Sequence, residues 1–253
     1  MQHSDERVVL VTGGTSGIGR ATALRLCRDG WRVVAVGREQ ADATSVTAEL
    51  ESVGNGYALA VDLADRGAGR ALVERVVAQS GRLDAVVHAA GIHALGTVDD
   101  MSADTFDLLW RVNVASAFDI VGAAVTQMKR SGGGTIVLVA SEAGHVAVPR
   151  QPAYNMTKAA ILMLGKSIAV DHSGDGIRSV TVSPGTTRTP LVAQAIASAE
   201  DPIAHEHQLA HSRPAMRLGR VDEVVATIVF ALSDDVGFLT GADIAIDGGF
   251  TAQ

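Results

Sequence analysis

A short apolar run leading into a glycine-rich turn and then a helical segment constrains this chain more than any other stretch. Arg7 to Val11 (RVVLV) leads into Thr12-Gly13-Gly14-Thr15-Ser16-Gly17-Ile18-Gly19, and Arg20 to Arg28 then carries helical spacing until Asp29-Gly30 stops it. Strand, glycine turn and helix in that order are the setting in which a chain binds a pyrophosphate. The glycines let backbone come close to the phosphates, and the helix amino terminus offers free N–H groups and partial positive charge. The spacing of Gly13, Gly17 and Gly19 is Gly-x-x-x-Gly-x-Gly rather than the commoner Gly-x-Gly-x-x-Gly. A glycine turn without a ligand is the plain alternative.

The pattern then repeats. Apolar runs at Trp31–Val36, Tyr57–Val61, Leu83–Val87, Thr135–Ala140, Ile177–Val182 and Ala242–Ile246 alternate with helical segments at about Ala41–Val53, Gly67–Gln79, Ser102–Met128, Ala153–Val170 and Asp222–Ser233. Strands alternating with helices through short loops predict a doubly wound parallel sheet of about seven strands, with right-handed crossovers and helices on both faces. No linker or repeat divides the 253 residues, so one domain spanning 1–253 is expected. In an open sheet of this kind ligands lie at the carboxyl ends of the strands.

Composition narrows the functions. Hydrophobic residues make up 47% of the chain and charged residues 19%, enough apolar material for a sheet covered on both faces. A net charge of −7 argues against nucleic-acid binding. The lone cysteine, Cys27, rules out an internal disulfide framework and a Cys-based zinc site. The polar start, MQHSDE, has no basic-then-apolar leader pattern, and no apolar run reaches the roughly 18 residues of a membrane span. A soluble, cytoplasmic protein is expected.

Three strand ends carry further chemistry. Gly37-Arg38 follows the second strand, where an acidic side chain would accept from a ribose 2′-hydroxyl. Gly37 cannot, whereas Arg38 could pair with a 2′-phosphate, cover an adenine or simply stand exposed. Asp62-Leu63 follows the third strand, and Asp62 could bind an adenine amino group or cap the next helix. Ser141 follows the fifth strand, and Tyr154 and Lys158 stand four apart in the helical run beyond it. That spacing puts phenol and ammonium on one helix face. A nearby cation lowers a phenol pKa from roughly 10 towards a useful acid–base range. The plain alternative is a half-buried Tyr beside a snorkelling Lys. Asn113 sits in mid-helix, where propensity disfavours it.

Leu191 to Arg217 is the least readable region. It contains a polar break at Glu200-Asp201-Pro202 and three histidines, His205, His207 and His211, which fit a solvated helix better than a metal site. No metal is expected anywhere in the chain.

Taken together, these motifs resemble the short-chain dehydrogenase/reductase family in its compact single-domain Rossmann form. The resemblance rests on Thr12–Gly19, Asp62, His88-Ala89-Ala90-Gly91, Asn113, Ser141, Tyr154-x-x-x-Lys158, Pro184-Gly185 with Thr189, and Asp247-Gly248-Gly249. It implies an NAD(P)(H)-dependent oxidoreductase, with NADP(H) favoured because of Arg38 and NAD(H) the competitor. Asn113, Ser141, Tyr154 and Lys158 would be catalytic. Tyr154 would move the proton, Ser141 would polarise the carbonyl, Lys158 would hold the nicotinamide ribose, and Asn113 would hold a water. Thr12, Gly13, Thr15, Ser16, Gly17, Ile18, Gly19, Gly37, Arg38, Asp62, Leu63, Ala89, Ala90, Gly91, Pro184, Gly185, Thr187 and Thr189 would contact the cofactor, together with Tyr154 and Lys158. His88 and Ser183 depart from the family pattern, which has Asn at each.

The implied activity is reduction of a ketone, or oxidation of a secondary alcohol. Alternatives are an NAD-dependent polyol or hydroxy-acid dehydrogenase and a non-catalytic cofactor-binding sensor. His93, Glu142, Arg150 and Gln151 are the expected substrate contacts, with a substrate loop at about 186–217, and they suggest a small or medium polar molecule. The implied assembly is a homotetramer through the 102–128 and 153–170 helices, with no nucleic-acid or membrane partner.

Overall fold

The computed structural model describes residues 6–253. The expectation for the first five residues, Met1–Asp5, lies outside the described residues. Seven strands form one parallel sheet: β1 (Val8–Thr12), β2 (Arg32–Gly37), β3 (Gly56–Ala60), β4 (Ala85–His88), β5 (Gly134–Val139), β6 (Ile177–Pro184) and β7 (Asp243–Ile246). Their order is β3-β2-β1-β4-β5-β6-β7, so strand order reverses between β1 and β4. That reversal opens a crevice at the carboxyl ends of the two strands.

Both faces of the sheet are buried, which is why the central strands read as unbroken Val, Ile, Leu and Ala runs. On one face Val9, Val11, Val33 and Val180 pack against α1 (Gly17–Arg28), α2 (Gln40–Val53) and α9 (Val221–Leu232) through Leu26, Leu50 and Ile228. On the other, Leu10, Val34, Val86 and Leu138 pack against α3 (Ala68–Ser80), α5 (Ser116–Ser131) and α6 (Pro152–His172) through Val73, Ile120 and Ile161. Alternate side chains along each strand thus serve opposite layers.

Two regions differ from the sequence expectation. The single helix expected over 102–128 is α4 (Ala103–Trp110), a π turn at Arg111–Ala115, and α5. Such turns insert a residue into the helical ladder and often mark functional sites; Asn113 lies at the centre of this one. The unreadable stretch folds as α7 (Pro190–Ala197) and α8 (Pro202–His211), each with Pro in its first turn and a side-chain cap, from Thr189 and Asp201.

The 29-residue run Ala103–Ser131 is long and apolar enough to cross a membrane by length and mean hydropathy, although the sequence shows no continuous apolar span of that size. Half of its apolar window is buried in the protein, where Ile120, Val121 and Ala124 cover the sheet. A core helix meets the same criterion.

Candidate active site

The glycine turn lies directly against the end of β4. A Cβ on Gly13, whose φ is +65°, would stand 2.9 Å from the Ala89 carbonyl carbon, and one on Gly19 would collide with the Gly13 carbonyl. The two glycines therefore let turn, strand and helix close together. Ser16 caps α1 without a side-chain hydrogen bond, so the first-turn N–H groups face the crevice unengaged by that side chain. Thr189 faces the turn from across the crevice, its Cγ2 3.6 Å from where a Gly17 Cβ would be. A backbone cradle at a helix amino terminus fits a dinucleotide pyrophosphate.

At the edges of the cradle the side chains separate. Gly37 is glycine because a Cβ there would run into Thr15. Arg38 beyond it is 70% exposed and donates from Nε to Glu39 Oε1 at 2.8 Å. Asp62 accepts from the Ala64 N–H at 2.9 Å, closing the turn after β3, where Leu63 is half-buried. It does not cap the following helix, whose N-cap is Gly67.

The catalytic candidates meet where β5 hands over to α6. Ser141 leaves β5 and accepts from the Ala143 N–H at 3.2 Å, holding its loop in a short 3-10 turn. Its hydroxyl lies close enough to the Tyr154 phenol to favour the phenolate. Lys158, one turn along α6, is buried and donates from Nζ to the Val139 carbonyl at 2.9 Å, with that nitrogen 5.6 Å from the Tyr154 ring centre. Asn113 accepts from the Ile92 N–H at 2.8 Å, donates to the Ile92 carbonyl at 2.9 Å and donates to Thr157 Oγ1 at 3.1 Å. The π turn thus clamps the segment after β4 to α6. Gly91 closes the group, since a Cβ on it would lie 3.4 Å from Asn113 Oδ1 and 3.6 Å from Lys158 Nζ.

The electrostatics differ from the simple expectation that the lysine draws the phenol pKa down. Tyr154 is raised above its ordinary value, because burial outweighs the opposing influence of Ser141 and Glu142 adds negative charge nearby. Water still reaches part of the side chain. Burial also lowers Lys158 to about 8, so its positive charge is itself held at a cost. His88 shows the same effect more strongly. Fully buried and near Lys158, it is lowered to about 3 and is therefore neutral.

The expected substrate contacts divide. His93 stands edge-on to Tyr154, with ring centres 5.0 Å apart, and Gln151 lies beside it. Arg150 is exposed with φ +58°, and its carbonyl accepts from the Gly96 N–H at 2.9 Å. Glu142 is not open to a substrate in this arrangement. It is buried, and Arg213 Nη1 donates to its Oε2 at 3.0 Å. Burial raises Glu142 despite that cation. Gly185 is explained by the same pair, because a Cβ there would lie 2.6 Å from both Arg213 Nη1 and Glu142 Oε2. Pro184 ends β6 and is buried, as is Thr187, which donates to the Gly185 carbonyl at 2.9 Å.

Sequence reasoning missed Arg213, 71 positions from Glu142, because no local pattern marks such a partner. His145 Nε2 lies 2.9 Å from Asp243 Oδ2, while Ser183 donates to Asp243 Oδ1 at 2.6 Å. His207 and His211 stack with ring centres 3.6 Å apart, and the described residues contain no group of three or more His, Cys, Asp and Glu side chains placed to hold a metal.

Comparison with known proteins agrees with this geometry. The family model described as enoyl-(acyl carrier protein) reductase matches residues 13–251. An uncharacterized oxidoreductase of Thermotoga maritima is 37% identical over 97% of this chain and 98% of its own. D-threitol dehydrogenase of Mycolicibacterium smegmatis is 33% identical over 98% of this chain and 94% of its own. The structure of L-sorbose reductase from Gluconobacter frateurii, complexed with NADPH and L-sorbose, superposes with a TM-score of 0.93 at 27% identity, covering 98% of this chain and 97% of that one. With the glycine cradle, the Ser141–Tyr154–Lys158 cluster and matches running the length of the chain, the protein belongs to the short-chain dehydrogenase/reductase family and is an oxidoreductase.

Proposed function

We propose that the protein is a cytoplasmic NADPH-dependent carbonyl reductase, and in reverse a secondary-alcohol dehydrogenase, acting on a small or medium polar substrate. The carrying observation is the convergence of the Ser141 hydroxyl, the Tyr154 phenol and the Lys158 ammonium beside Gly91 and Asn113. Thr12, Gly13, Ser16, Ile18, Gly19 and Thr189 would hold the dinucleotide. When bound, the nicotinamide supplies or accepts the hydride. Ser141 donates to the substrate carbonyl as negative charge builds on its oxygen. Tyr154 delivers the proton in reduction and accepts it in oxidation. At neutral pH the phenol carries the proton that reduction needs, while its raised pKa makes it a weaker acid and its phenolate a stronger base for oxidation. Lys158 orients the ribose, and its charge grows in effect once a bound dinucleotide excludes water from the cleft.

Arg38 supports NADP(H). It stands at the carboxyl end of β2 with only Nε engaged among the described residues, leaving its terminal nitrogens to face a 2′-phosphate. The NADPH complex of L-sorbose reductase agrees. A second reading, an NAD-dependent polyol or hydroxy-acid dehydrogenase, is favoured by Glu39, whose carboxylate pairs with Arg38 and could instead accept from a ribose hydroxyl. D-threitol dehydrogenase is a relative in keeping with that reading. For the substrate, His93 and Gln151 beside Tyr154 form a polar wall that suits neighbouring hydroxyl groups.

The test is titration with NADPH and NADH, followed by turnover on a panel of hydroxylated ketones. Tighter NADPH binding that weakens in Arg38→Ala supports NADP(H); tighter NADH binding indifferent to Arg38 supports the second reading. Tyr154→Phe should retain cofactor binding and lose about 10²- to 10⁴-fold in turnover. Unchanged turnover in that variant would overturn the assignment of Tyr154.

A further inference from the structure

The Arg213 side chain joins three parts of the chain just past the carboxyl ends of β5, β6 and β7. Nη1 donates to Glu142 Oε2 at 3.0 Å and to the Asp247 carbonyl at 3.4 Å. Nη2 donates to Thr186 Oγ1 at 2.8 Å and to Ser212 Oγ at 3.3 Å, and Nε donates to the Leu209 carbonyl at 3.3 Å. Its guanidinium carbon lies 5.4 Å from the Phe250 ring centre. The two charged side chains are only 3% and 8% exposed.

Each partner has a position that matters. Glu142 directly follows Ser141. Arg213 is two residues beyond the end of α8, at the base of the α7–α8 pair, and Thr186 precedes the strand-to-helix passage into α7. Thr186 also donates to Glu142 Oε1 at 3.4 Å, so both carboxylate oxygens are engaged. A buried ion pair is seldom the most stabilising way to fill such a space, because desolvation offsets much of the attraction. What a fork-shaped guanidinium does supply is fixed direction.

We propose that Arg213 is a positioning residue: through Glu142 it sets the placement of Ser141, and through Leu209, Ser212 and Thr186 it fixes the base of α7–α8 to the same point. The α7–α8 pair and the Ser141 hydroxyl then move as one unit. Gly185 has to be glycine for this joint to form, as the 2.6 Å approach shows.

The inference rests on the carbonyl-reductase reading only for its kinetic arm. Two substitutions, Arg213→Lys and Glu142→Gln, are compared with wild type by hydrogen–deuterium exchange and by steady-state kinetics on any ketone that wild type reduces. Arg213→Lys keeps the charge and loses the fork. Faster exchange, by about tenfold or more, is expected in 141–146 and 190–212 together. In folded variants kcat should fall by about 10- to 100-fold, since a displacement near 1 Å at the reacting centre has that effect. NADPH affinity should change far less than kcat. A merely structural pair would lower the melting temperature and leave kcat and the cofactor affinity alone, and that result overturns the proposal. So does faster exchange in one segment without the other, which remains readable if Glu142→Gln alone folds. Wild type inactive on every ketone would refute the functional reading and leave the exchange arm to decide this one.

Discussion

Thr12 and His88, side by side on β1 and β4, place Oγ1 and Nδ1 2.9 Å apart, and the other ring nitrogen of His88 is buried without a hydrogen-bond partner among the described residues. An imidazole so enclosed must stay neutral on folding. Its pKa is lowered from 6.5 to about 3, first by burial and then by the charge of Lys158. The unfolded chain therefore binds a proton between pH 6.5 and 3 that the folded one refuses. Stability from this group is complete above pH 6.5 and is lost as pH falls towards 3, with a limiting slope of about 1.4 kcal/mol per pH unit. Urea unfolding of wild type and His88→Asn at pH 7.5, 6, 5 and 4 should show the difference shifting progressively in favour of Asn. A difference independent of pH would contradict the neutral buried imidazole.

Lys158 carries the same charge problem at higher pH. Burial lowers it from 10.5 to about 8, so between those values the unfolded chain again holds a proton the folded chain has released. Its contribution is favourable above pH 10.5 and lost as pH falls through about 8, which leaves a burial penalty at neutral pH on the order of 3 kcal/mol. Lys158→Met should therefore melt higher than wild type at pH 7 without cofactor, with the gap narrowing from pH 8 upward. The same variant should be catalytically dead. A lower melting temperature at pH 7 would mean that the bond to the Val139 carbonyl outweighs desolvation.

The edge-on contact of His93 with Tyr154 predicts a change in specificity rather than in stability. His93→Phe keeps an aromatic edge and removes both ring nitrogens. For ketones bearing an adjacent hydroxyl, kcat/KM should drop by about tenfold, the value of roughly one hydrogen bond. For apolar ketones of similar size it should change little. Equal losses on both classes would remove His93 from substrate recognition.

Apolar side chains left open on the two long helices predict assembly. Phe118 on α5 is 66% exposed and Met163 on α6 is 60% exposed, and Phe106 and Trp110 on α4 stack with ring centres 6.2 Å apart at the surface. A homotetramer covering these faces is expected by light scattering at micromolar concentration, and Phe118→Arg should convert it to smaller species. A wild-type monomer at that concentration would refute this interface.

Much of the molecule could be read from the chain because its determinants are local. A parallel sheet buried on both faces requires unbroken apolar strands, and Val33–Val36 or Ile136–Val139 can be little else. The glycine turn and the four-residue spacing of Tyr154 and Lys158 are likewise properties of consecutive residues. Other readings failed because the deciding neighbour is distant. Glu142 reads as a substrate contact beside Ser141, yet Arg213 closes over it. Asn113 stands out in the sequence as an unfavoured mid-helix residue, but only the fold shows the π turn that aims it at Ile92 and Thr157.

The sequence by itself determined the strand–helix alternation, the glycine turn and the Ser141, Tyr154 and Lys158 side chains, since periodicity and spacing are written in neighbouring residues. Only the tertiary structure decided their electrostatics and mutual support. Whether Tyr154 is raised or lowered, whether His88 is charged, and which cation meets Glu142 depend on how much water packing removes and which distant groups it brings within hydrogen-bond reach.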